Sequence, residues 1–356
     1  MLEVNKMKKT EEIKRTWKAK GKGGGEKKID SYRYFYDKGC VSCGWSFSDA
    51  IGREKIKSLD DYKEFWREEV KKSGLNNKWG NQGVHQLLDN VHKRDFIWTR
   101  IDGEYYVAEV KGTPEELFSF DASKDATEND CSAQLKVDWI KVGKEDEVPG
   151  SVSVYTQNRS ALSRVDNNDE VIDVKGNQYT VTSAFSAICT NSIKKEDIKT
   201  PDNRSYLFNL IGYAEAEDLI ALWLYDKYGY VTVPSTNKIG TETYEFVLLD
   251  GSKNKDGSYT KSRKIYIQVK NGNNILEASK YTSLLDSTSE EVWLVSTRGH
   301  VEGKGKPAQI KRFVKKDDDS IVEENHDINE VLDFAFDPKK RNIIPNTIKQ
   351  WIDLFF

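Results

Sequence analysis

The sequence predicts an α+β domain followed by an α/β domain, and three observations lead there. The chain has 356 residues, and at roughly 100–200 residues per domain that length suits two cores. A polar stretch over 192–204, broken by Pro201, separates regions of different texture. Before it, short β-rich runs surround one long helical segment; after it, a helix leads into a series of strands. The expected divisions are a basic flexible arm over 1–29, a β-rich domain over 30–195, and a domain with a central mixed sheet over 205–356.

The first 28 residues hold nine Lys and Arg15 against four Glu, a charge of +6 in a chain of net charge -3. The remainder therefore carries -9. Ending in Gly23-Gly24-Gly25, this arm suits either phosphate binding or plain solubilisation. Next, Leu59 to Lys72 reads as a helix. Phe96 to Ile101 and Glu104 to Val110 flank Asp102-Gly103, a pair that favours the positive φ angles of a tight hairpin. Further strands are expected at 135–142, 150–155 and 178–182.

In the second half a helix over 210–228 closes at Gly229. Strands follow at 230–233, 244–249, 264–270 and 291–296, and helices at about 328–336 and 346–356. No apolar run is long enough to span a bilayer, and the lysine-rich start lacks a secretory h-region. Four Cys in so long a chain do not make a disulfide scaffold. A cytoplasmic, reducing setting is the expectation. Cys40-Val-Ser-Cys43 lacks a second metal-ligand pair, the four His are scattered, and no phosphate-binding glycine loop is present.

The residues that carry chemistry lie after the seam. Mg²⁺ takes hard oxygen ligands and keeps several waters, so one or two carboxylates beside a substrate phosphate suffice. Glu245 lies within an apolar strand, where a carboxylate needs a partner or an ion. Gln268 and Lys270, two apart on the next strand, share one face. Glu217 stands on the apolar stripe of the preceding helix, three and seven residues before Ile220 and Leu224.

This order of helix Glu, strand acid and Gln-x-Lys resembles the PD-(D/E)xK nuclease superfamily, and more narrowly its Mrr-type and Holliday-resolvase-like members. Val292 to Ser296 stands where the family has its fourth strand. The resemblance covers about 205–300 and implies a restriction-endonuclease-like α/β domain. It implies an Mg²⁺-dependent (or Mn²⁺-dependent) endonuclease acting on double-stranded DNA, in restriction or antiviral defence, with a homodimer for double-strand cutting. Glu217 and Glu245 would bind metal, with Asp250 as a substitute ligand; Gln268 would complete the coordination and Lys270 position the nucleophile. A degenerate, non-catalytic nucleic-acid-binding module is the alternative. A rival site is spelled in the first half by Asp95 or Asp102 with Glu109-Val-Lys111, though Asp102 belongs to the turn.

Residues 30–140 are dense in aromatic side chains. The run Asp95 to Arg100 followed by Tyr105 to Val110 is similar to PUA-like barrels such as EVE, YTH and ASCH domains. That likeness implies recognition of a flipped, modified base between aromatic rings. Trp79, Trp98 and Trp45 are the candidates for such a pocket.

Overall fold

The computed structural model describes residues 13–21, 23–24, 29–44, 46–47, 50–74, 83–154, 161–198, 204–236, 244–259 and 263–356. Contacts gather the chain into two compact units, Met1–Lys199 and Thr200–Phe356. Each combines helices with sheets. Among the described residues no helix is long and apolar enough to cross a membrane.

The N-terminal unit is built on β1 (Thr16–Ala19), α1 (Ser31–Lys38), β2 (Cys40–Ser42), α2 (Leu59–Lys72), β3 (Phe96–Ile101), β4 (Glu104–Glu109), β5 (Phe118–Phe120), β6 (Ala133–Lys136), β7 (Ile140–Gly143) and β8 (Leu162–Arg164). A five-stranded sheet runs β8-β1-β3-β4-β7, and a three-stranded sheet runs β2-β6-β5. The hairpin β3–β4 turns at Asp102 and Gly103, whose φ angles are 51° and 85°. Helix α2 starts at Ser58 in a capping box with Asp61 and buries Leu59, Tyr62, Trp66 and Val70.

Four expectations change here. Residues 16–19 are not arm but an interior strand, parallel to β3 and antiparallel to β8, with all four residues buried. Four residues are too few for alternation to show against the flanking lysines. The expected strand over 135–142 is two strands in different sheets, and 150–153 is a helical turn, Gly150–Ser153. The strand expected over 178–182 is β10 (Asn177–Thr180), paired with β9 (Val171–Val174). It gives way to α3 (Val181–Cys189), which starts where the Thr180 side chain accepts from the Ser183 amide.

The C-terminal unit opens with α4 (Tyr213–Tyr228), which ends at Gly229 with φ 74°. Six strands, β11 (Tyr230–Thr232), β12 (Phe246–Asp250), β13 (Lys264–Lys270), β15 (Glu290–Ser296), β17 (Ile310–Lys315) and β18 (Ile321–His326), form one sheet in the order β11-β12-β13-β15-β17-β18. Only β13 and β15 are parallel. Two short parallel strands, β14 (Ile275–Glu277) and β16 (His300–Glu302), pair apart from it. Helices α5 (Ile328–Phe336) and α6 (Asn346–Phe355) close the chain.

Candidate functional site

Strand β13 alternates cleanly. Ile265, Ile267 and Val269 are buried on one face, so Tyr266, Gln268 and Lys270 point to the other. The first face receives α4, because Trp223 of that helix meets Trp293, the register neighbour of Ile267. Gln268 and Lys270 therefore lie on the side away from α4.

The antiparallel register of β12 and β13 pairs Phe246 with Ile267, and the Glu245 amide donates to Ile267 O at 2.8 Å. Glu245 thus sits one residue before β12, opposite Gln268. Its Oε1 accepts from Gln268 Nε2 at 2.5 Å and from Lys270 Nζ at 2.8 Å. Gln268 is 3% exposed, while the Glu245 and Lys270 side chains are 22% and 41% exposed. One carboxylate, one amide and one ammonium thus meet, half-open to solvent, where β12 begins and β13 ends.

The carboxyl end of β13 is stitched in place. Asn271 Nδ2 donates to Ile211 O at 3.0 Å, fixing the start of α4 beside it, and Thr297 Oγ1 donates to Asn271 Oδ1 at 2.9 Å. Gly272, with φ 143°, turns the chain away while its amide bonds Thr297 Oγ1. The Asn after Lys270 is the positioning residue that the sequence pattern does not reveal; its polarity beside a buried strand was the available signal.

Glu217 is half-buried on α4, a helix that packs through Trp223 on the sheet face opposite Gln268 and Lys270. Its neighbour Asp218 has its carboxyl pushed up, by desolvation first and by Glu215 second. Asp250 is placed at the other end of β12, beside Tyr230, and its Oδ1 accepts from the Ser252 amide in a loop turn. Four residues of extended chain separate it from Phe246, roughly 13 Å, so it is not a ligand in common with Glu245.

Among the described residues no group of three or more His, Cys, Asp or Glu could hold a metal ion. The oxygen set that does fit Mg²⁺ chemically is the Glu245 carboxylate with the Gln268 amide oxygen.

The rival residues disperse. Asp95 is buried and accepts from the Trp17 indole and the Arg15 and His92 amides. Its burial pushes the carboxyl up despite those bonds. Asp102 pairs with Arg33 on the surface, Lys111 with the exposed Asp138, and Glu109 with Ser192. Cys40 and Cys43 are buried free thiols, and burial pushes Cys40 up to about 12 and Cys43 still higher.

Trp98 is corrected as a base-stacking residue. It is fully buried, donates from Nε1 to Ser186 Oγ at 2.8 Å, and stacks on Phe185 of α3. No face is left for a ligand. Trp45 and Trp79 lie outside the described residues.

Comparisons with family models, curated proteins and solved structures return no significant match for this chain.

Proposed function

We propose that the C-terminal unit is a metal-dependent DNA endonuclease of the PD-(D/E)xK type, working with an N-terminal unit that recognises DNA. The supporting observation is the convergence of Glu245, Gln268 and Lys270 on one carboxylate oxygen from two antiparallel strands. Residues 23 and 25 positions apart meet there, in the order of acid and then Gln-x-Lys that the resemblance requires.

Glu245 and Gln268 would hold Mg²⁺ or Mn²⁺, which when bound supplies charge neutralisation and an acidified water. Lys270 then has two roles in turn. It holds the Glu245 side chain in place before substrate arrives, and its half-exposed ammonium stands ready to hold the attacking oxygen or the phosphate charge. Asn271 keeps the strand end, and hence Lys270, in register. A cytoplasmic setting, defence against foreign DNA and a homodimer belong to the same proposal.

The deciding measurement is cleavage of supercoiled plasmid in Mg²⁺ by the wild type and by Lys270→Ala. Nicked or linear product from the first and none from the second is expected; equal activity would overturn the assignment.

One observation favours a second reading, a nucleic-acid-binding module without catalysis: Glu245 Oε1 is already satisfied by two internal donors. In that case Mg²⁺ or Mn²⁺ leaves the melting temperature unchanged. A metal-binding fold is stabilised by it, because a ligand that binds the folded state alone shifts the unfolding equilibrium.

A further inference from the structure

The N-terminal unit opens a cleft of about 510 Å³ at the end of its five-stranded sheet where β1 and β3 begin and β4 leaves. Buried Leu88 and Val91 give it an apolar wall. Its cations come from two segments far apart in sequence: Lys14, just before β1, and Lys93 with Arg94, in the turn before β3. Arg94 Nη1 donates to the neutral Asn177 Oδ1 at 3.2 Å, and among the described residues none of the three cations has a carboxylate partner. Of the two acids on the cleft, Asp89 is engaged by Lys63 Nζ at 2.7 Å and by His85. Exposed Glu115 is the other, so three positive charges stand against one negative.

The spacing of those cations is built into the fold. Asp95, 1% exposed, accepts at Oδ1 from the Arg15 amide and at Oδ2 from the His92 amide, each at 3.0 Å. One buried carboxylate therefore fastens the residue after Lys14 to the residue before Lys93. The backbone is pinned from the other side as well, since the Lys14 amide donates to Gln178 O at 2.9 Å and the Arg94 amide to Val110 O at 2.7 Å. Arg94 has a φ of 71°, a conformation that long side chains rarely adopt. Burying a carboxylate and straining a backbone both cost stability. Here both costs fall on the residues that set where the cations stand, and backbone strain of this kind gathers at binding sites.

We propose that this cleft grips the phosphate backbone of double-stranded DNA through Lys14, Lys93 and Arg94. Cations without internal partners bind phosphates and release the counterions condensed on the duplex. The cleft is open, with Lys93, Arg94 and Thr113 exposed along it. A pocket for a small molecule encloses most of its ligand, whereas an open one lets a polymer pass through. Glu115 repels phosphate on its own side, so the backbone runs past the three cations. Contacts of this kind fix position and register on the duplex and carry no sequence information directly. The inference rests on the reading of the N-terminal unit as the part that meets DNA, and it shares no residue with the Glu245 cluster.

The test uses the full chain and a labelled DNA duplex, with binding read by fluorescence anisotropy over a series of salt concentrations in EDTA, where no cleavage occurs. Lys14→Gln/Lys93→Gln/Arg94→Gln should bind about tenfold or more weakly than wild type, with the slope of log affinity against log salt reduced by about two to three. A control with the same charge change at exposed residues outside the cleft, Lys55→Gln/Lys71→Gln/Lys124→Gln, should keep the wild-type slope. If the first variant melts below the wild type, Lys93→Gln alone, at an exposed position, carries the test with a slope reduced by about one. An unchanged slope in the cleft variants, or an equal loss in the control, would overturn the proposal. So would a mononucleotide that binds as tightly as the duplex and equally needs these residues, because the cleft would then serve a small phosphate ligand. Because binding is measured without metal, a wild type that binds duplex through the cleft yet cleaves no plasmid places the failure in the Lys270 assignment; one that cleaves plasmid with an indifferent cleft places it here.

Discussion

Lys270 Nζ donates to Glu245 Oε1 at 2.8 Å from the neighbouring antiparallel strand, with both side chains partly in solvent. An ion pair this exposed contributes little to stability, about 0–1 kcal/mol. Lys270→Ala should therefore leave the urea midpoint nearly unchanged while lowering Mg²⁺-dependent cleavage by about a hundredfold or more, the scale of losing one positioned catalytic group. Denaturation and plasmid assays on the same preparation make the comparison. A loss of several kcal/mol would mark the cluster as structural.

Glu291 gives the contrasting case, a carboxylate with no exposure at all. It accepts from Arg312 Nε and Nη2 at 2.9 and 2.6 Å, from Arg263 at 2.5 Å, from Tyr230 Oη and from the Trp293 indole. The Arg312 guanidinium also lies against the rings of Trp293 and Tyr228. Burial alone would push the Glu291 carboxyl up, but Arg312 and then Arg263 hold it below its ordinary value. Arg312→Met leaves a buried charge short of its main partner and should destabilise the C-terminal unit by about 3–5 kcal/mol.

The sign of its pH dependence follows. A depressed folded pKa contributes stability that is present above the unfolded value and lost as pH falls through the folded one. The variant has lost most of that contribution. Its deficit against wild type in urea unfolding should accordingly shrink on acidification from neutral pH; a deficit constant with pH would place the loss in packing instead.

What was legible in the sequence depended on how far each signal extends. Helix α2 has four turns of apolar periodicity and a cap at Ser58, and the β3–β4 hairpin has Asp102-Gly103; local chemistry decided both. Gln268 and Lys270 were readable because alternation within β13 is local too. The choice between Glu245 and Asp250 was not, since it turns on the register between β12 and β13 across a long loop. The role of Trp98 likewise depended on α3 arriving from more than eighty residues away. Residues 16–19 were hidden by neighbouring charge: Trp17 buries its ring and gives its indole N–H to Asp95, a partner that no local pattern names.

Lys18 offers a pH test of the N-terminal unit. This lysine, 8% exposed on β1, donates to Val152 O and Val154 O and lies 5.7 Å from the Tyr105 ring centre. Burial first, and then the charges of Lys20 and Arg100, lower its pKa from 10.5 to about 8, with Glu145 pulling the other way. Between those two values the unfolded chain holds a proton that the folded unit has released. Stability therefore rises with pH across that window, by on the order of 3 kcal/mol at most. Lys18→Met lacks the titrating group, so the advantage of the variant over wild type, or its deficit, must move in favour of wild type as pH climbs from about 7.5 to about 10. Urea midpoints of both proteins at the two pH values measure it. Parallel pH profiles would mean that the folded unit keeps Lys18 charged, with the carbonyls of Val152 and Val154 compensating for its burial.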